Sequence, residues 1–158
     1  MDRFWIIVAH RAGARIFRIN RRGEPLHPVQ ELEHPEGRLQ AREMGSDRPG
    51  RVFGSGNMER HGLSGQQGPE QHLAEDFCRK IAEVVEDARS HQRFQNLLVV
   101  AEPHILGGIR NQLSDSCRTL IVGTLDKNLA NLSVRELEAH LMPLVEEAFR
   151  SAPLDLSA

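Results

Sequence analysis

The chain has 158 residues, of which 39% are hydrophobic and 27% are charged, and its formal net charge at pH 7 is -2. A domain of this length buries about 70% of the surface that its unfolded chain exposes, so we expect one domain over residues 1–158. The near-neutral charge excludes a protein that coats nucleic acid by bulk electrostatics. The apolar run at residues 4–9 is too short to span a membrane. We therefore expect a cytoplasmic protein with no membrane partner.

The amino-terminal residues have the pattern of three consecutive strands. Residues 3–9 form a continuous apolar run, which is typical of a central strand covered on both faces. Residues 11–14 can turn the chain into a second strand at 15–20, and a further turn leads to a weaker strand at 26–32. These three strands predict an antiparallel meander.

Positive charge is concentrated at the start of the chain. Residues 1–22 contain one acidic residue, Asp2, and six arginines. The arginines are Arg3, Arg11, Arg15, Arg18, Arg21 and Arg22. A local basic face is therefore expected on a protein whose net charge is close to zero.

Residues 35–68 interrupt the regular pattern with a long loop rich in glycine and arginine. A connection of this length is uncommon within a compact domain and is usually either functional or disordered. Its arginines and histidines are nearly balanced by acidic residues, so a solvated loop is the simpler interpretation. Arginines on a glycine-rich backbone also suit RNA phosphates, and such segments commonly fold on contact.

The second half of the chain alternates helices and strands. A helix from residue 69 to about 90 is predicted to pack Phe77 and Ile81 against Ile7, Leu98 and Val100 of the sheet. Apolar strands at 96–101 and 119–124 flank a second helix, and a capping box precedes a last helix that ends near residue 150. The order βββαβαβα implies an α/β fold with a mixed five-stranded sheet, because the two crossovers require parallel pairing.

This order of elements occurs in ribonuclease-H-like folds and in the middle domain of some translation factors, so it does not by itself select a function. A metal-dependent nuclease needs a carboxylate on the first strand, which this chain lacks, although Glu75 and Glu102 can converge. His10 and His104 follow strand ends, where ligands bind in open α/β sheets. The other histidines and the cysteines lack the spacing of zinc ligands, and residues 62–68 lack the lysine of a phosphate-binding loop. We expect neither a metal nor a cofactor.

Two motifs resemble the bacterial family of proteins required for attachment to host cells. They read SDRPGR at residues 46–51 and GSGNMERH at residues 54–61. The similarity extends over most of the chain. That family is similar in turn to the middle domain of archaeal and eukaryotic peptide-chain release factors and of Pelota, which implies the same fold for this chain.

The resemblance to release factors also implies candidate site residues. In those factors a Gly-Gly-Gln loop enters the peptidyl-transferase centre, and its glutamine helps water attack the peptidyl-tRNA ester. Residues 60–66 read RHGLSGQ, with Ser64 in place of the first glycine. Gln66 is thus the candidate catalytic residue for ester hydrolysis. The candidate RNA-binding residues are Arg48, Arg51, Arg60, His61, Gly62 and Gly65.

Two functional hypotheses remain open. The first is a ribosome-associated or RNA-binding accessory protein that acts in the rescue of stalled translation. The second is a non-enzymatic interaction protein that affects attachment to host cells or surfaces indirectly. The sequence does not set the oligomeric state. Binding of the purified protein to ribosomal subunits separates the two hypotheses.

Overall fold

The computed structural model describes residues 3–34 and 69–151. Five strands and four helices lie in these two ranges. They are β1 (Phe4–His10), β2 (Gly13–Ile19), β3 (His27–Glu33), α1 (Pro69–Ser90), β4 (Asn96–Val100), α2 (Pro103–Gln112), α3 (Asp115–Arg118), β5 (Ile121–Leu125) and α4 (Val134–Ser151). The predicted order is confirmed, with the short helix α3 as an addition between α2 and β5.

The strands form one mixed sheet in the order β3-β2-β1-β4-β5. β1 is antiparallel to β2, which is antiparallel to β3. On its other side β1 is parallel to β4, and β4 is parallel to β5. The predicted α/β fold with a mixed five-stranded sheet and an amino-terminal meander is therefore confirmed, and β1 is the central strand.

Helices cover both faces of the sheet. Ile6 and Ile7 of β1 are both fully buried, and because successive side chains of a strand point to opposite faces they belong to two separate cores. The core that contains Ile7 is closed by α1 and α2, and the core that contains Ile6 is closed by α4. This two-sided burial explains why β1 is apolar at every position from Phe4 to Ala9 rather than alternating.

The prediction of which β4 side chains face α1 is wrong. Phe77 and Ile81 share a core with Ile7, as expected, but Leu98 and Val100 face α4 on the other side of the sheet. The parallel register pairs Ile7 with Val99, so Val99 is the β4 residue that faces α1. Side chains of paired residues in neighbouring strands point to the same face.

Serine caps begin two of the helices. The hydroxyl of Ser114 accepts a 3.2 Å hydrogen bond from the backbone N–H of Cys117, which starts α3 and delays β5 until Ile121. At the start of α4, Ser133 and Glu136 form the predicted capping box through two reciprocal 3.2 Å hydrogen bonds. Each cap satisfies backbone groups that have no partner within the helix.

Candidate functional site

The carboxyl ends of four strands meet at one edge of the sheet, which we call the carboxyl edge. β1, β4 and β5 are parallel, and two antiparallel pairings give β3 the same direction as β1. The described chain stops just after β3, at His34, and resumes at Pro69 in α1. In open α/β sheets, ligands bind beyond the carboxyl ends of the strands. The long glycine- and arginine-rich segment thus departs from the edge at which a site is expected.

Hydrogen bonds and a ring contact hold His34 in place at the carboxyl edge. Its side chain is buried, and its Nδ1–H donates a 2.8 Å hydrogen bond to the carbonyl oxygen of Arg11. Its backbone N–H donates a 3.0 Å bond to the carbonyl oxygen of Ala12. The imidazole ring stacks on the ring of Phe77, with centroids 4.6 Å apart and planes 7° from parallel. His34 therefore joins the end of β3 both to the β1–β2 turn and to α1.

His10 holds the same turn from the other side. Its Nδ1 accepts a 3.3 Å hydrogen bond from the backbone N–H of Ala12. A neutral imidazole that accepts at Nδ1 carries its proton on Nε2, which makes that nitrogen a donor at the carboxyl edge. The turn also needs Gly13, because a Cβ there would lie 2.9 Å from the carbonyl oxygen of Leu32. Two histidines and a glycine thus fix the backbone at this edge.

The residues proposed from the sequence for catalysis and RNA binding lie outside the described residues. They are Gln66, Arg48, Arg51, Arg60, His61, Gly62 and Gly65. Within residues 3–34 and 69–151, no group of three histidine, cysteine, aspartate or glutamate side chains is placed to hold a metal ion. Glu102 is half-buried and His104 is exposed.

Both cysteines are free and buried. Burial, together with the nearby charge of Glu75, raises the pKa of the Cys78 thiol to about 11. Burial likewise raises the pKa of Cys117 to about 11, assisted by a hydrogen bond to Glu86. Both thiols are therefore protonated at neutral pH, and neither is an activated nucleophile.

The six amino-terminal arginines are divided among three parts of the molecule. Arg11 lies in the β1–β2 turn. Arg15 and Arg22 reach the face covered by α4, where Arg15 donates a 2.7 Å bond to the carbonyl oxygen of Leu132 and Arg22 pairs with Glu146 at 2.7 Å. The other three, Arg3, Arg18 and Arg21, line one groove at the opposite edge of the sheet. The expected basic face is therefore confined to three of the six arginines.

The fold defines a class: a mixed α/β protein in which helices cover both faces of a five-stranded sheet. Residues 5–141 match the family described as "Protein required for attachment to host cells", and the chain belongs to that family. No curated protein matches the sequence. Within the described ranges, no helix is both long enough and apolar enough to cross a membrane.

Solved structures offer a distant likeness. One described as "Archaeal protein" is 11% identical, covers 94% of this chain and has a TM-score of 0.44. The chain covers 39% of the length of that structure.

Proposed function

We propose that this protein is an RNA-binding accessory protein that associates with the ribosome and acts in the rescue of stalled translation complexes. The observation that carries the proposal is the attachment of His34 at the carboxyl edge, by hydrogen bonds to the β1–β2 turn and by its contact with Phe77. The glycine- and arginine-rich segment that follows is thereby attached at the edge where open α/β sheets bind their ligands.

The chemistry of that segment supports RNA as the ligand. Arg48, Arg51 and Arg60 carry guanidinium groups, whose planar arrangement of donors matches phosphate oxygens in a bidentate way. Gly62 and Gly65 have no side chain to keep an RNA backbone at a distance. These residues are proposed to bind RNA phosphates, together with His61.

Gln66 is proposed to position a water molecule against the ester carbonyl of peptidyl-tRNA. Attack by this water breaks the bond between the peptide and the tRNA, and it releases a peptide with a free carboxylate and a tRNA with a free hydroxyl. The support for this role is the similarity of residues 60–66 to the glutamine loop of release factors. The adjacent Gln67 provides a matched comparison because it has the same side chain one position further along.

The proposal is tested with purified ribosomes that carry peptidyl-tRNA. Gln66→Ala should retain ribosome binding and lose peptide release, whereas Gln67→Ala should retain both. Replacing Arg48, Arg51 and Arg60 with glutamine should weaken binding and lower its salt dependence by roughly one unit of slope per lost phosphate contact. If the wild-type protein and Gln66→Ala release peptide equally, Gln66 has no catalytic role.

Membership of the attachment family favours a second function, that of a non-enzymatic interaction protein that affects attachment to host cells indirectly. This function requires a protein partner rather than RNA. It takes the place of the first proposal if the wild-type protein neither binds ribosomes nor releases peptide at low salt.

A further inference from the structure

A basic groove lies at the amino edge of the sheet, opposite the carboxyl edge. Its volume is about 600 Å³, and among residues 3–34 and 69–151 its lining contains four arginines and one acidic residue. The arginines are Arg3, Arg18, Arg21 and Arg93, and the acidic residue is Glu24. We call this site the amino-edge groove.

The two walls of the amino-edge groove come from distant parts of the chain. One wall contains Arg3 and Arg93. The carbonyl oxygen of Arg3 accepts hydrogen bonds of 2.9 and 3.1 Å from the backbone N–H groups of Gln95 and Asn96. The guanidinium of Arg3 donates a 3.4 Å hydrogen bond to the carbonyl oxygen of Gln92. The start of β1 and the α1–β4 loop are therefore joined before any ligand is present.

The other wall contains the end of β2 and the turn that follows it. Arg18 lies on β2 directly opposite Trp5 of β1. The carboxylate of Glu24 accepts a 3.1 Å hydrogen bond from the backbone N–H of Asn20, which closes the turn around Arg21. Gly23 has a φ of +89°, a conformation that side-chain-bearing residues rarely adopt, so this turn has a defined shape.

Positive charge outweighs negative charge among the described residues that line the amino-edge groove. Among the residues that the structure describes, Arg18, Arg21 and Arg93 form no ion pair, while the neighbouring Arg22 points to the other face and pairs with Glu146. Clefts lined by charge of one sign concentrate the electrostatic field and attract ligands of the opposite sign. Arginine is the residue best suited to phosphate because its donors match two phosphate oxygens at once.

The other lining residues suit a ligand that carries an organic group as well as a phosphate. The half-buried Val29 provides apolar surface and Asn20 adds an amide, while Trp5 lies beneath the groove, buried against Phe94. The volume lies within the range of roughly 300 to 1,000 Å³ typical of sites for small organic ligands, and it is larger than one phosphate requires. Apolar and amide groups beside arginines suit a nucleoside that carries phosphates.

We propose that the amino-edge groove binds the phosphate groups of a nucleotide, with the arginines on the phosphates and with Val29 and Asn20 facing the nucleoside. The nucleotide is either free or part of an RNA chain, since both present the same phosphates. The groove lies at the edge of the sheet opposite to the one at which the described chain stops at His34, and this proposal does not depend on the proposed ribosomal function.

Trp5 makes the binding measurable, because it is the only tryptophan of the chain and it lines the amino-edge groove. The purified protein is titrated at low salt with ADP, with a short oligouridylate and with inorganic phosphate, and binding is followed by tryptophan fluorescence and by calorimetry. ADP or the oligouridylate should bind saturably and more tightly than inorganic phosphate. Binding of ADP identifies a free nucleotide as a ligand, and binding of the oligouridylate alone identifies RNA.

Arg21→Gln and Arg22→Gln form a matched pair for this test, since they remove the same charge from adjacent positions. Loss of a charged hydrogen bond of about 1.5 to 3 kcal/mol predicts that Arg18→Gln and Arg21→Gln each weaken binding by roughly tenfold or more. Arg22→Gln should leave the affinity almost unchanged. The arginines replaced at 18 and 21 are exposed, so unfolding midpoints should remain at the wild-type value.

Three results would overturn the proposal. One is the absence of saturable binding of both ADP and the oligouridylate. Another is an Arg22→Gln variant that loses as much affinity as Arg21→Gln, which would indicate attraction by net charge alone. The third is that inorganic phosphate binds as tightly as ADP, which would show that the groove recognises only an anion and not the nucleoside.

Discussion

The imidazole ring of His34 lies parallel to the phenyl ring of Phe77 at a centroid distance of 4.6 Å. Both side chains are buried, and His34 also donates to the carbonyl oxygen of Arg11. Since His34 precedes residues 35–68 and Phe77 follows them, this contact joins the two described parts of the chain on either side of the segment to which we assign RNA binding.

A double-mutant cycle should reveal coupling between these two rings. Phe77→Ala should lower the free energy of unfolding by about 3 to 5 kcal/mol through the cavity that it leaves. His34→Ala should lower it by about 1 to 3 kcal/mol, because the carbonyl oxygen of Arg11 loses its partner. The two losses should overlap by about 0.5 to 1.5 kcal/mol, the range for stacked aromatic pairs. Strictly additive losses in urea unfolding would show that the rings do not interact.

Two adjacent glycines of α2 should respond oppositely to the same substitution. A Cβ at Gly108 would lie 2.6 Å from the sulfur of Cys78, whereas nothing lies within 4 Å of a Cβ at Gly107. Gly108→Ala should therefore destabilise the protein by about 1 to 3 kcal/mol through overpacking. Gly107→Ala should stabilise it by up to about 1 kcal/mol, because alanine favours the helix.

The close contact that Gly108→Ala creates with Cys78 can be relieved by a second substitution. Adding Cys78→Ala to Gly108→Ala removes the sulfur and should restore part of the lost stability, as measured by the thermal unfolding midpoint. If Gly107→Ala and Gly108→Ala have equal midpoints, α1 and α2 do not approach each other as closely as the structure indicates.

Glu86 should make stability depend on pH in the acid range. Burial opposes its ionisation, but hydrogen bonds from Cys117 and Ser114 and the charge of Arg89 outweigh burial and lower its pKa below the ordinary value of 4.5. A carboxyl whose pKa is lowered by folding contributes stability above its unfolded-state pKa, and that contribution disappears as the pH falls through the lowered value.

The stability difference between the wild-type protein and Glu86→Gln should therefore be largest near neutral pH and shrink on acidification. Ser114→Ala removes a 2.6 Å hydrogen bond to the same carboxylate and should show the same trend. Urea unfolding at a series of pH values measures both. A difference that stays constant down to acid pH would contradict the assignment.

The sequence predicts the order of elements along the chain and the central position of β1, but not every side-chain direction. The uninterrupted apolar run of β1 indicates a central strand because only burial on both faces tolerates it. Burial on both faces also makes β4 uniformly apolar, so its sequence does not show which side chains face α1. Its buried apolar residues are Leu97, Leu98, Val99 and Val100. With no alternation, the face reached by each residue is set by pairing with β1, which no local pattern encodes.

The candidate sites were predictable to different extents. The density of arginines before residue 22 indicates a basic face, and the short β1–β2 turn gives the register that places Arg18 opposite Trp5. Arg93 could not be assigned to that face, because it joins the amino-edge groove only through the parallel pairing of β1 with β4. Ser114 followed by Asp115 is a local signal for a helix start at α3, and this helix is absent from the predicted order of elements.

Co-sedimentation with purified ribosomal subunits, at low and at moderate salt, tests the proposed function most directly. The wild-type protein should sediment with the subunits at low salt and dissociate as salt rises, because release of counterions from RNA phosphates drives such binding. The variant with glutamine at 48, 51 and 60 should bind more weakly at every salt concentration, with a shallower salt dependence. A wild-type protein that stays in the supernatant at low salt would contradict the ribosomal function.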